Sequence, residues 1–170
     1  YGALLGGQIF NGGIVSARLG KIALGAGEKI TLDFVGDGLM SVSVPSEKLG
    51  FIKDINGNTI KSLISNTGLL KASGGIIKLS AATAKSLSRS SVNIGSSGVI
   101  IARSVNDKTG KVIIGSPANN KIKISGKIDV SGHRSLTPSG TIIVKGRSVS
   151  HNGRIFARGS SGGKVNIISK

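Results

Sequence analysis

The chain returns to one short pattern five times, and that return limits what it can fold into. The pattern is a glycine, any residue, an apolar residue, any residue, then alanine or valine. It reads GIVSA (Gly13–Ala17), GLLKA (Gly68–Ala72), GVIIA (Gly98–Ala102), GKIDV (Gly126–Val130) and GRIFA (Gly153–Ala157). A second glycine-led pentapeptide follows each copy: GKIAL (Gly20–Leu24), GIIKL (Gly75–Leu79), GKVII (Gly110–Ile114), GTIIV (Gly140–Val144) and GKVNI (Gly163–Ile167). The first glycines step along the chain by 55, 30, 28 and 27 residues. Repeats of this length belong to solenoids, propellers or arrays. The first step is about twice the others, which implies one degenerate copy between Gly13 and Gly68.

Alternation within the repeat chooses among these. Successive side chains of a strand face opposite sides. The third and fifth residues of the first pentapeptide are apolar in every copy, from Val15 and Ala17 to Ile155 and Ala157, while the second and fourth include Ser16, Lys71, Lys127, Asp129 and Arg154. The second pentapeptide behaves alike, with Ile22 and Leu24 on one face and Lys21 on the other. A third, weaker strand is expected in places, as in KITLDF (Lys29–Phe34) and KIKIS (Lys121–Ser125). Helical periodicity is almost absent, and SAATAKSLSRS (Ser80–Ser90) is the one stretch compatible with a helix. The links are turn residues rich in Gly and Ser. Short strands with one apolar face and glycine corners predict an all-β fold. It is a right-handed, single-stranded parallel β-helix, or β-solenoid, of about six coils with glycine-rich corners. No coil can bury its face alone, so stacking has to build the core. A propeller blade needs four strands and a longer repeat.

Composition narrows the setting. The 170 residues include 27 Gly and no Cys, so disulfides and thiol chemistry are excluded. The longest apolar runs are about four residues, which predicts no spanning helix and no membrane insertion. The chain opens on Tyr1 without a signal peptide and reads as a piece of a longer protein. The net charge of +16 is uneven. Residues 1–54 carry five acids and five bases; residues 55–170 carry 18 bases against Asp107 and Asp129. Such a field favours an anionic partner. Aromatics are 3% of the chain, too few for base stacking, so specific nucleic-acid recognition is not expected.

Five segments carry a family resemblance in register. They are NGGIVSARLGKIALGAGEKITLDFVGDGLMSVSV (Asn11–Val44), VNIGSSGVIIARSV (Val92–Val105), IKISGKIDVSG (Ile122–Gly132), SGTIIVKGRSV (Ser139–Val149) and GRIFARGSSGGKVNI (Gly153–Ile167). Together they resemble large exoproteins of the filamentous haemagglutinin family, secreted by the two-partner route of Gram-negative bacteria. The resemblance implies a single β-helical segment over 1–170: family-signature coils at 11–44, a variable insertion at 45–66 and regular coils at 67–170. It also implies export through an outer-membrane β-barrel transporter, a secreted or cell-surface location, and attachment to host or neighbouring cells. The family's amino-terminal secretion motifs are not in this sequence. Ile94 and Gly95 stand where the family's asparagine-rich coil would have Asn and a polar residue, so an asparagine ladder is not expected there.

Candidate sites follow from the columns that stacking creates. The residue after each first pentapeptide is Arg18, Ser73, Arg103, Ser131 or Arg158, and Lys21, Lys111 and Lys164 open the second strand. These six cations are the expected contacts for anionic glycans on cell surfaces, because Arg meets sulfate or phosphate through paired N–H donors. No catalytic residue, metal ligand or cofactor is called for. His133 and His151 read as loop imidazoles, and GDG around Asp37 reads as a turn. DINGNT (Asp54–Thr59) lacks the sixth-position Gly and twelfth-position Glu of a calcium loop and reads as a turn. Other β-helices degrade polysaccharides with clustered carboxylates, and that alternative would require Asp33, Asp37 or Asp129 to come together. A purely structural stalk, as in a contact-dependent toxin carrier, is the third reading.

Overall fold

The computed structural model describes residues 1–27, 29–32, 40–43, 53, 56–82, 90–115, 121–132 and 136–169, with side chains not described at 29–32 and 40–43. The chain opens with β1 (Gly2–Gly6). The first coil is β2 (Ile9–Asn11), β3 (Ile14–Ser16) and β4 (Lys21–Gly27). A hairpin follows, β5 (Lys29–Leu32) and β6 (Met40–Ser43). The second coil is β7 (Ile64–Asn66), β8 (Leu69–Lys71) and β9 (Ile76–Ala82). The third is β10 (Val92–Ile94), β11 (Val99–Ile101) and β12 (Lys111–Gly115). The fourth is β13 (Lys121–Ile124), β14 (Lys127–Asp129) and β15 (Thr141–Gly146). The fifth is β16 (Ser148–His151), β17 (Arg154–Phe156) and β18 (Lys164–Ser169). Among the described residues there is no helix, hence none long and apolar enough to cross a membrane.

The strands form three parallel sheets. Sheet I runs β1-β4-β9-β12-β15-β18, sheet II β16-β13-β10-β7-β2 and sheet III β17-β14-β11-β8-β3. Every coil therefore visits sheet II, then III, then I. This is a parallel β-helix of five complete coils plus β1. The two pentapeptides are the strands of sheets III and I. The third strand is a regular member of each described coil, including Lys121–Ile124, and it precedes the other two.

The doubled first step is not a degenerate coil. Ile64 pairs directly with Ile9, Leu70 with Val15 and Ile77 with Ile22. The other edges of β7, β8 and β9 are taken by β10, β11 and β12. None of the described strands between β4 and β7 joins the three parallel sheets. KITL within this interval pairs antiparallel with β6, so it is a hairpin strand beside the stack and not the third strand of a coil. Asn56–Asn58 turn the chain there, closed by a bridge between Lys53 and Thr59, as the turn reading of DINGNT expects. Ser80–Ala82, at the start of the proposed helix, instead complete β9, where Ala81 and Ala82 are fully buried. Residues 83–89, Asp33, Asp37 with the GDG turn, Asp54 and His133 lie outside the described residues.

The core sits between the three sheets. Like residues stack in columns: Ile22, Ile77, Val112 and Ile142 in sheet I; Leu70, Ile100 and Ile128 in sheet III; Ile64, Val92 and Ile122 in sheet II. All are buried, and each side chain contributes about 1.5–3 kcal/mol by leaving water. Val165 and Ile167 continue the sheet I columns but remain 41% and 44% exposed, since β18 has a neighbour on one side only.

The corners explain the glycines. Gly13, Gly68, Gly98, Gly126 and Gly153 form one column; Gly20, Gly75, Gly110, Gly140 and Gly163 form another. The carbonyl of each glycine accepts from the residue after the next glycine, as in Lys127 N–H to Gly98 at 2.9 Å and Lys111 N–H to Gly75 at 3.0 Å. A methyl group on Gly126 would overlap the carbonyl oxygens of Gly98 and Gly95, and one on Gly75 would overlap that of Gly20. Gly13, on the outermost coil, has open space at that position. Gly126→Ala is therefore expected to lower stability by about 2–3 kcal/mol through overpacking, and Gly13→Ala by less than about 0.5 kcal/mol. Denaturant midpoints of the two variants check this, and equal losses would refute the close-approach account.

Candidate functional site

The two cation columns lie in register on either side of one corner. Leu19 N–H donates to Ser73 at 2.9 Å, Gly74 N–H to Arg103 at 2.6 Å, Ser104 N–H to Ser131 at 3.0 Å and Gly132 N–H to Arg158 at 2.7 Å. Arg18, Ser73, Arg103, Ser131 and Arg158 thus occupy successive coils of one column. Across the corner, Lys21 pairs with Ile76, Ile76 with Lys111, Lys111 with Thr141 and Thr141 with Lys164. Both columns place a cation on the first, third and fifth coils and an uncharged residue between. Like charges on directly opposed strands repel. The alternation spaces them by two strand separations, roughly 10 Å.

The six cations then diverge. Arg103 is ion-paired, although its side chain stays 43% exposed. Its Nε and Nη2 donate to Asp129 Oδ2 at 3.0 and 2.7 Å, and Lys127 Nζ lies 3.7 Å from the same oxygen. Asp129 Oδ1 accepts the Ser131 N–H at 3.0 Å. Asp129 is on the outer face of β14 yet only 2% exposed, because these partners cover it. Burial pushes its pKa up, but the Arg103 hydrogen bonds and the Ser131 N–H together outweigh burial and hold it below the usual carboxylate value. Arg158 lies over the Phe156 ring at 5.1 Å from its centroid, and Lys127 at 4.9 Å. Both cations keep an aromatic contact.

Lys111 and Lys164 remain together. They line a shallow cavity of about 490 Å³ with Thr141 between them and Ile76, Ile143 and Asn166 beside them. Lys21 lies beyond Ile76 in the same column and does not line that cavity. Arg18 is exposed and lines a separate cavity at the corner of the first two coils.

Of the acids, Asp107 sits in an exposed turn and Asp129 is tied to Arg103, so these two do not form a carboxylate pair. His151 is not in a turn; it ends β16 and is exposed.

Two polar arrangements escaped the sequence reading. One is the Arg103–Asp129 pair, whose members are 26 residues apart; only the 28-residue step between third and fourth coils brings them to adjacent levels. The other is inside the core. Asn11 Nδ2 donates to Asn66 Oδ1 at 2.7 Å, and Asn66 Nδ2 donates to the Gly68 carbonyl at 3.2 Å. Both amides are buried. The sequence signal was NGG and NTG preceding the first two copies of the sheet III strand. The pair occupies the position that Ile94 holds one coil later. Comparison with protein-family models, curated proteins and solved structures finds no match.

A folded-state pKa below the unfolded value means that Asp129 contributes its full stabilisation above about pH 3.9. That contribution is lost as pH falls through the lowered pKa. Asp129→Asn is expected to cost about 2 kcal/mol at neutral pH and to flatten the acid limb of the stability curve. Unfolding followed from neutral pH down through the carboxylate range checks both. An unchanged acid limb would remove Asp129 as its source.

Proposed function

We propose that this β-helix is a non-enzymatic segment of a secreted, cell-surface adhesin-type exoprotein, and that it attaches to acidic glycans on host or neighbouring cells. The observation that carries the reading is the in-register placement of cations on alternate coils along one corner of a rigid stack. A rigid array of weak contacts gains affinity through multivalency without any one strong site. The surplus positive charge speeds encounter with polyanions. The resemblance of the five segments to filamentous haemagglutinin-type exoproteins supports secretion through a two-partner β-barrel transporter as the route to the surface. The burial of Asp129 against Arg103 speaks against its use as a polysaccharide-cleaving acid.

The test is retention on a heparin-type column. The chain is expected to bind at physiological ionic strength and to elute as salt rises, since exposed charge pairs are screened. Replacing Lys111 and Lys164 together by Ala is expected to weaken binding roughly tenfold, about 1.4 kcal/mol. Arg103→Ala is expected to act mainly on stability, by leaving Asp129 buried with a weaker partner. No retention of the unmodified chain at physiological salt would end the reading.

A further inference from the structure

The corner between sheets III and I is longest in the third and fourth coils. It is ARLGK in the first coil and ASGGI in the second, but residues 102–110 and 130–140 make longer loops in the third and fourth. These loops do not simply project. Val105 and Lys108 exchange two hydrogen bonds of 3.0 and 3.1 Å, closing a tight turn with Asn106 at a positive φ of 52°. Gly110 N–H donates to Ser104 Oγ at 3.1 Å, and Gly74 N–H ties the loop base to the second coil. A methyl group on Gly74 would press on the Leu19 side chain and would contact Val105 Cβ at 3.5 Å and Lys108 Cβ at 3.7 Å. The third-coil loop therefore folds down over the second-coil corner towards the first. In the fourth-coil loop, Thr137 is 8% exposed and its carbonyl accepts the Ser160 N–H at 3.2 Å.

Together they bound a cavity of about 540 Å³ lined by Ser16, Arg18, Lys71, Ser73, Val105, Asn106 and Thr137. That volume falls in the range that encloses a small ligand. Among the described residues, two cations, three hydroxyls, one amide and one apolar side chain line it, and no carboxylate does, although Asp107 is adjacent in the chain to Asn106. Ser16 and Lys71 are register partners on β3 and β8, so a strand holds Lys71 in place, while Arg18 lies in the turn after β3, which the Leu19 N–H ties to the Ser73 carbonyl at 2.9 Å.

We propose that this roofed groove binds a sugar bearing a sulfate or phosphate ester. Arg18 and Lys71 neutralise the ester oxygens through charge-assisted hydrogen bonds. The hydroxyls and Asn106 meet the sugar hydroxyls, and Val105 meets a C–H face. The inference rests on the acidic-glycan reading and deepens it: one defined pocket at the corner, in addition to the open lysine column.

The experiment uses the 170-residue chain, isotope-labelled, titrated separately with a heparin-derived tetrasaccharide, mannose 6-phosphate and an unsubstituted tetrasaccharide while backbone amide shifts are followed. One of the two esters is expected to saturate, with shifts centred on Lys71, Ser73, Val105 and Asn106, and the neutral sugar is expected to leave them unmoved. The ester that saturates identifies the source. Lys71→Ala and Arg18→Ala are each expected to weaken binding at least about tenfold, whereas Lys123→Ala, which removes one exposed charge from the outer face of β13, leaves it unchanged. All three positions are exposed, and thermal unfolding confirms that each variant is folded. Shifts centred on Thr141 and Lys164, or equal losses in all three variants, would overturn the groove. If the unmodified chain is retained on the heparin-type column and the Lys71 and Arg18 variants are retained equally, the groove fails while the adhesion reading stands. Failure of the unmodified chain to be retained ends both.

Discussion

The structure depends on how closely one backbone can lie on another at the corners. The corner glycine carbonyls accept hydrogen bonds from the coil that follows, and a methyl group on Gly68, Gly75, Gly126, Gly140 or Gly153 would overlap the carbonyl oxygen of the glycine before it. Parallel strands of three residues are too short to hold a sheet on their own. They persist because glycine corners return the chain to the same level and keep the columns of Ile, Leu and Val in contact. Glycine usually weakens a strand; here it stands outside the strands, where its missing side chain is what allows the next coil to close in.

This is why so much of the fold was legible. The glycine step reports the coil length, and the period-two alternation reports the inward face, so the columns of sheets I and III follow from arithmetic. What arithmetic missed has a physical reason in each case. An excursion and a degenerate coil add the same length, and only the direct pairing of β4 with β9 separates them. KITL has the alternation of a coil strand, but alternation does not encode direction, and it pairs antiparallel. The sheet II strand carries no leading glycine of its own, so it looked weaker than it is.

The candidate site was legible as two columns and no further. Register placed the six cations correctly with respect to one another. It did not say which would be occupied. Arg103 and Arg18 have the same column position, yet Arg103 meets Asp129 on the next coil, while below Arg18 the corresponding outward position is Lys71, which cannot accept its hydrogen bonds. The same rung therefore carries an internal ion pair in one part of the stack and, in another, two cations that no acid among the described residues neutralises. Long corner loops add the roof, and loop paths are set by local turns such as the one at Asn106 that repeat logic does not reach.

The buried Asn11–Asn66 pair bears on a hazard that near-identical repeats create. Coils with interchangeable apolar columns can slide by a whole repeat and still bury most of their surface, giving competing compact states of similar energy. Asn66 already stacks between Asn11 and Ile94, so such a slip would set the Asn11 amide against Ile94 in place of Asn66, and a buried amide without a partner costs about 1–3 kcal/mol. Two polar side chains in an otherwise greasy channel thus act as a key, marking which coil is first and which is second.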